Sequence, residues 1–214
     1  MSFALTVKEK QRKNCTMRDM DMECTIRPEE QGEADAIRSV LDSVFRDPPE
    51  ESILVDVLRV RGKVVSSLVA ICNGQLVGHI LFTPLSIENA PPHLRAAALA
   101  PLAVLPAFQG KGIGSQLVMK GIDDCRAKGC HILAVLGNPK FYGRFGFRRA
   151  SDFGIGNEYE AKDAFMILVL DPTVVEDISG TARYVSEFQT MQILQDEEVY
   201  KKVRRICRPT VCRV

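Results

Sequence analysis

Apolar residues fall on one helical face in two neighbouring segments early in the chain. From Glu33 onward, five such residues predict an amphipathic helix: Ile37, Val40, Leu41, Val44 and Phe45. Pro48 and Pro49 either end this helix or begin the next one. In that second helix, four residues are predicted to face the core: Ile53, Leu54, Val57 and Leu58.

Continuous apolar runs follow, and these predict buried strands. Residues 67–72 and 75–82 are joined by an Asn-Gly pair at 73–74, which is a strong hairpin signal because both residues tolerate positive φ. A further run over 96–105 ends at Pro106, which cannot donate a ladder hydrogen bond. The pattern therefore predicts a hairpin and then a third buried strand.

The middle of the chain alternates strand, helix and strand. Residues 112–128 form a predicted amphipathic helix closed by Gly129, and residues 131–136 form the next buried strand. A unit of this length implies that its two strands pair in parallel. A short helix over 139–144 and a strand over 165–170 follow. We predict a mixed α/β (α+β) fold, with antiparallel hairpins and one parallel βαβ crossover.

Composition and charge exclude several classes of protein. The chain has 214 residues, 46% of them hydrophobic, which suits one buried core and argues against wholesale disorder. A formal net charge of +1 attracts neither nucleic acid nor an anionic membrane, and no apolar run approaches the ~20 residues that span a bilayer. Seven scattered cysteines favour a reduced cytoplasmic protein, with Cys72, Cys125 and Cys130 as free thiols in the core.

The two ends of the chain differ from its middle. Residues 1–23 are polar and predict an extension outside the core, whereas residues 24–188 form the predicted domain. Residues 189–214 form a tail that is basic from residue 201 onward, where six Lys and Arg residues occur without an acidic one. Such a tail is more often a solvated end than a binding element.

A glycine-rich turn connects the strand at 96–105 to the helix that follows it. Gly110, Gly112 and Gly114 alternate with other residues at the helix start. The first amides of a helix lack intrahelical partners and carry the positive end of its dipole, so this turn can bind a diphosphate. The spacing fits neither the GxxxxGK[ST] of a P-loop nor the GxGxxG of a dinucleotide-binding fold.

Two motifs occur along the chain in the order in which a known protein family has them. The run Gln-Gly-Lys-Gly-Ile-Gly at 109–114, after Val-Leu-Pro at 104–106, matches the pattern Q-x-x-G-x-G/A. With this run, the sequence resembles the GNAT superfamily of acetyl-CoA-dependent N-acetyltransferases. Residues 138–147 look like the second family motif, a short helix that carries a Tyr and is followed by Gly-Phe.

The end of the domain extends the resemblance. Segments 164–170 and 180–188 are similar to one bacterial subgroup of N-acetyltransferases, so that the resemblance covers residues from about 23 to 188. It implies a central, mostly antiparallel sheet with helices on both faces. It also implies that the two parallel strands splay apart.

The resemblance implies acetyl-CoA as co-substrate and no metal. The main chain of Leu102, Ala103 and Val104 would pair with the pantetheine arm, and Asn138 would give a polar contact to the pantetheine or the adenosine end. Gln109 stands where many relatives have Arg, which leaves more of the phosphate recognition to backbone amides. These amides would belong to seven residues: Gln109, Gly110, Lys111, Gly112, Ile113, Gly114 and Ser115.

Tyr142 is the general acid that the family motif implies. Its phenol is protonated at neutral pH and can donate to the departing thiolate. The general base is less determined. Glu88 is one candidate because it sits near the end of a strand that borders the expected amine pocket. A water chain or one of four other residues stays open: His79, His93, Asp152 and Glu158.

Three functions are compatible with these features. The first is transfer of an acetyl group from acetyl-CoA to a primary amine, by direct attack in a ternary complex. The second is an acyl-CoA-binding sensor with little or no catalysis. The third is acetylation of aminoacyl-tRNA, which only the basic tail motivates. The sequence names neither the acceptor, a small-molecule or protein amine, nor the oligomeric state, and a homodimer stays open.

Overall fold

One sheet forms the centre of the molecule. The structure is a computed structural model that describes residues 23–45, 50–174 and 178–189. Within these ranges it has nine strands: β1 (Cys24–Pro28), β2 (Ser66–Cys72), β3 (Gln75–Ile87), β4 (Ala96–Val104), β5 (Ile132–Leu136), β6 (Arg148–Arg149), β7 (Ile155–Asn157), β8 (Phe165–Val169) and β9 (Gly180–Tyr184).

The strand order confirms the predicted topology. Along the path β1-β2-β3-β4-β5-β8-β6, every pair is antiparallel except β4–β5, which is the parallel crossover. Strand β9 pairs with the C-terminal end of β3, and β7 pairs with β9 in a second, short parallel ladder. The hairpin between β2 and β3 turns at Asn73 and Gly74, both with positive φ as predicted.

Helices cover both faces of the sheet, as predicted. The described residues form α1 (Ala34–Val44), α2 (Glu50–Val60), α3 (Ile113–Ala127) and α4 (Pro139–Tyr142). Successive strand residues point to opposite faces. Val69, Leu81 and Ala103 therefore pack under α1 and α2, whereas their neighbours pack under α3: Leu68, Ala70, Ile80 and Phe82.

One cysteine prediction is wrong. Cys24 and Cys72 lie opposite each other in the β1–β2 register, with Cα atoms 4.1 Å apart, and form a disulfide. Cys72 is therefore not a free thiol. The reason is that β1 is a five-residue edge strand with little apolar pattern, so nothing in the sequence placed Cys24 beside Cys72. Cys125 and Cys130 are buried free thiols, as predicted.

Several predicted features lie beyond the described residues. These are the two prolines at 48–49, the extension up to residue 22 and the tail from residue 190. The 24–188 domain boundaries therefore stay a prediction. Among the helices described, none has the length and apolar character needed to cross a membrane.

Candidate active site

Strands β4 and β5 pair over part of their length and then separate. Their parallel register joins residues 96–99 to 132–135 and, in the described chain, goes no further. On its other edge β4 stays paired with β3 as far as Val104, so residues 102–104 keep one edge free of strand partners. A cavity of about 560 Å³ opens in this fork, and we call it the fork cavity.

A second cavity, of about 450 Å³, lies at the start of α3. We call it the turn cavity, because most of its lining comes from the glycine-rich turn and its neighbours: Gln109, Gly110, Gly112, Ile113, Gly114, Ser115 and Arg144. Leu102 and Phe141 line both cavities, so the two adjoin. Together they form a groove from the helix start into the fork.

The unpaired backbone N–H groups of the glycine-rich turn indicate an anion-binding site. The amides of residues 110–115 have no backbone acceptor in the described ranges, and the first helical bond of α3 runs from the Gln116 amide to the Gly112 carbonyl at 3.0 Å. Gly112 precedes the helix with a φ of 83°, a conformation that glycine adopts without strain. The Gln109 amide instead donates to the Pro106 carbonyl at 3.3 Å. It is therefore paired, unlike the other amides that were predicted to bind the phosphates.

The side chain of Gln109 positions the turn. Its Nε2 donates to the carbonyl of Val104, the last residue of β4, at 2.9 Å. This bond ties the turn to the strand. Because the glutamine amide is neutral, Gln109 brings no positive charge to the turn cavity. Lys111 is not in the described lining of the turn cavity, and its Nζ lies over the Phe108 ring, 5.3 Å from the ring centre.

Arg144 is the one charged residue in the described lining of the turn cavity. Its guanidinium lies 4.8 Å from the centre of the Phe141 ring, and its Nε donates to the Phe141 carbonyl at 3.2 Å. Nη2 lies 3.5 Å from the Ser115 hydroxyl, which faces the same space. A cation that is held on two sides in this way suits a phosphate ligand.

Tyr142 ends α4 and lines the fork cavity. The residue is 8% exposed, and the rings of Phe141 and Phe147 pack edge-on against its ring. Gly137 makes room for it, since a Cβ at that position would lie 2.4 Å from Tyr142 Cε2. Burial raises the pKa of Tyr142 to about 12, so the phenol keeps its proton through neutral pH.

Asn138 connects β5 to α4 and also lines the fork cavity. Its Oδ1 accepts a hydrogen bond from the Lys140 amide at 2.9 Å and caps the helix, with Pro139 at the first helical position. Among the described residues its amide nitrogen has no acceptor, which leaves it available as a donor for the predicted polar contact.

Glu51 is the one carboxylate in the described lining of the fork cavity. It lies in the first turn of α2 and is half-buried. Burial raises its pKa above the ordinary glutamate value, and the nearby charge of Glu50 adds to the shift. Glu51 and Tyr142 are therefore the two titratable residues in the described lining of the fork cavity.

Comparison with known proteins agrees with this arrangement. The family model of the acetyltransferase (GNAT) family matches residues 17–147, more than half of the chain. The chain belongs to the GNAT family. This family membership makes it an N-acetyltransferase by class. In the described residues, no group of three or more His, Cys, Asp or Glu side chains is arranged to hold a metal ion.

Two GNAT relatives from Escherichia coli K12 are similar in sequence. The uncharacterised N-acetyltransferase YhbS is 30% identical over 158 residues, which cover 73% of this chain and 93% of YhbS. The uncharacterised N-acetyltransferase YjhQ is 35% identical over 119 residues, which cover 55% of this chain and 66% of YjhQ, just under two thirds.

Solved GNAT structures share the fold. A structure of E. coli YhbS in complex with CoA superposes with a TM-score of 0.74 at 28% identity, and covers 81% of this chain and 96% of that one. A GNAT acetyltransferase from Brucella melitensis in complex with acetyl-CoA has a TM-score of 0.64 at 33% identity, with coverage of 78% and 99%.

The structure places the predicted bases outside the lining of both cavities. Glu88 lines neither cavity. It is an exposed residue at the far end of β3, where Oε1 accepts from Arg183 Nε at 3.1 Å. The hydrogen bond from Arg183 holds the pKa of Glu88 below its usual value, so this carboxylate braces β9 against β3. The geometry therefore does not support Glu88 as the base.

The other four candidates also lie outside the lining of both cavities. His79 is fully buried, its Nε2 lies 2.9 Å from the Ser67 hydroxyl, and burial lowers its pKa to about 3. Glu158 accepts from the Tyr184 amide at 2.8 Å, and Asp152 is exposed beside Arg148. His93 is an exposed loop residue.

Sequence reasoning missed both Arg144 and Glu51. Arg144 follows Phe141 by three positions, a spacing that places two helical side chains on one face, and this signal could have found it. For Glu51 the sequence offers no signal. Glu50 and Glu51 are adjacent and alike, and only the packing of α2 decides which of them lines the cavity.

Proposed function

We propose that this GNAT protein transfers the acetyl group of acetyl-CoA to a primary amine by direct attack in a ternary complex. The observation that carries the proposal is the continuous groove, which joins an anion site at the turn to a fork that holds a buried tyrosine. A diphosphate at one end and a thioester at the other match these two environments.

Residues of the turn would hold the diphosphate. The unpaired amides of residues 110–115 and the α3 dipole favour an anion, and Arg144 supplies the positive charge that Gln109 does not. The free edge of residues 102–104 would pair with the pantetheine amides, with Asn138 as a further donor. The CoA and acetyl-CoA complexes of the two relatives support this placement.

Tyr142 would act as the general acid. Its phenol is protonated at neutral pH and lines the cavity in which the thioester would lie. When the carbon–sulfur bond breaks, the phenol can give its proton to the departing thiolate. The buried acid favours an enzyme over a sensor that only binds acyl-CoA. Acetylation of aminoacyl-tRNA has no support from the described residues, because the basic tail lies outside them.

The direct test is the release of CoA thiol from acetyl-CoA in the presence of a panel of primary amines. We expect thiol release that depends on the amine and saturates with both substrates. Initial rates at several fixed amine concentrations should give intersecting double-reciprocal lines, as a ternary complex requires. Parallel lines would contradict direct attack, and the absence of any amine-dependent release would contradict the proposed function.

Arg144 gives a separate prediction about cofactor binding. The change Arg144→Gln should weaken acetyl-CoA binding about 10-fold at low salt, because a charge-assisted contact to phosphate is lost. The variant should also show a smaller loss of affinity as salt is added. Calorimetric titration at two salt concentrations measures both effects.

Arg148 provides a matched control for this prediction. It also carries its guanidinium over a phenylalanine, 5.0 Å from the centre of the Phe153 ring, but it lines neither cavity. Arg148→Gln should leave acetyl-CoA affinity within about twofold of the wild type. Equal losses in both variants would show that Arg144 acts through general surface charge and has no specific phosphate contact.

A further inference from the structure

We propose that Glu51 binds the acceptor as an ammonium ion and accepts its proton, and that the acceptor is an apolar primary amine without an acidic group. This inference rests on the proposed function and names the substrate class of the same site. Its geometric basis is the fork cavity, where Glu51 and Tyr142 line a single space.

The walls of the fork cavity are apolar apart from a few groups. Most of the lining is aliphatic or aromatic: Phe45, Leu54, Leu99, Ala100, Pro101, Leu102, Val135, Leu136, Phe141 and Phe188. In the described lining, Asn138 and Tyr142 are neutral and Glu51 is the one charged residue. The site therefore offers an apolar enclosure with a single negative charge.

That charge has no counter-ion within the described part of the chain. None of the ion pairs between described residues involves the Glu51 carboxylate, which accepts a hydrogen bond from its own backbone amide, whereas Asp56 on the same helix is ion-paired. Asp56, which lies further along α2, contacts both Arg38 and Arg59. A half-buried carboxylate without a counter-ion is costly, and a cationic ligand would offset that cost.

The same charge selects against acidic acceptors. A carboxylate or phosphate on the acceptor would enter an apolar cavity where the described lining has no cation to pair with it, and Glu51 would repel it. An amine with an alkyl or aryl body has neither penalty. The apolar walls would pack against that body.

Proton transfer from the ammonium ion to Glu51 is favoured by the surroundings. An amine is almost fully protonated at neutral pH and must lose one proton before its nitrogen can attack. In an apolar cavity the ion pair of ammonium and carboxylate is less favourable than in water, so transfer to give a neutral amine and a neutral acid becomes easier. Glu51 thus keeps the acceptor reactive at neutral pH.

The reaction balances with these two residues. Glu51 takes one proton from the ammonium, and the neutral nitrogen forms a bond to the thioester carbon. The carbon–sulfur bond then breaks, and Tyr142 gives its proton to the leaving sulfur. The new amide nitrogen returns its extra proton to the Tyr142 phenolate, and Glu51 releases the first proton to water. One acetyl amide, one thiol and one proton are formed.

A matched set of acceptors tests the substrate class. Phenethylamine, phenylalaninamide and phenylalanine share an aromatic body, and only phenylalanine bears a carboxylate. We expect kcat/KM for phenethylamine to exceed that for phenylalanine at least 100-fold, with phenylalaninamide much closer to phenethylamine. The inference would be overturned if kcat/KM for phenylalanine, or for any acidic amine in the wider panel, equalled or exceeded that for phenethylamine.

Variants of Glu51 test its role. Glu51→Gln should lower kcat/KM for phenethylamine about 100-fold and narrow the preference over phenylalanine, while acetyl-CoA affinity stays within about twofold. Glu50→Gln, one residue earlier and outside the cavity lining, should keep kcat/KM within about threefold. Retained acetyl-CoA affinity shows that each variant is folded.

The pH profile separates a base from a merely structural residue. The titratable groups in the described cavity lining are Glu51 and Tyr142, and Glu50 is the charge that acts on Glu51. In the wild type, kcat/KM should fall as the pH drops through the raised pKa of Glu51. This acidic limb of the pH profile should be absent in Glu51→Gln. If amines are acetylated and the limb persists in the variant, this inference fails while the proposed function stands.

Discussion

Replacement of Tyr142 by phenylalanine is expected to lower turnover by about 10²- to 10⁴-fold, the usual contribution of a general acid. The change removes one oxygen from a ring that is held on both sides by Phe141 and Phe147. The departing thiolate would then have to take its proton from water. Acetyl-CoA affinity should be almost unchanged, because the diphosphate contacts lie at the turn. Steady-state turnover and calorimetry measure the two effects separately.

Tyr159→Phe serves as the control for this change. Tyr159 is a partly buried tyrosine that packs against Tyr184 and lines neither cavity. Its replacement should leave turnover within about twofold. Wild-type turnover in Tyr142→Phe would remove Tyr142 as the acid, and a parallel loss in both variants would point to a general effect on the fold.

The change Gly114→Asp should weaken acetyl-CoA binding by about 100-fold. A Cβ at Gly114 would lie 3.8 Å from Val104 and 3.9 Å from Phe141, so the position has room for a side chain beside the turn cavity. An aspartate in the first turn stabilises a helix, and the fold should therefore be kept. Its charge would nevertheless oppose the diphosphate, at a cost of about 3 kcal/mol at short range.

Gly114→Ala tests whether charge causes this loss. The alanine methyl group would make ordinary van der Waals contacts and carries no charge. We expect its acetyl-CoA affinity to stay within about threefold of the wild type. A loss in Gly114→Ala as large as that in Gly114→Asp would mean that space, and not anion binding, limits this position.

The fold was largely predictable because its central elements have strong local signals. The hairpin at residues 73–74, the buried strand β4 and the amphipathic helix α3 each carry a pattern that fixes their type. The missed strands are short or lie at edges, as β1, β6, β7 and β9 do, and their pairing depends on contacts distant in sequence. The disulfide was missed for the same reason.

The site was predictable only where one segment contains it. The turn at 109–115 and the motif around Tyr142 are contiguous, so spacing and resemblance located them. Arg144 and Glu51 depend on how α4 and α2 pack against the fork, and a single sequence does not encode that packing in a local pattern. The sequence places Glu88 near the end of a strand, but β3 extends to Ile87, so that Glu88 lies away from the groove.

Calorimetric titration with acetyl-CoA and with acetylpantetheine, which lacks the diphosphate and the nucleotide, tests the central claim most directly. The turn amides and Arg144 predict a single acetyl-CoA site of micromolar affinity or tighter, with acetylpantetheine bound at least 100-fold more weakly. Titration at two temperatures ensures that binding is detected even if its enthalpy is close to zero at one of them. No uptake of acetyl-CoA, or equal affinity for the two compounds, would contradict the account.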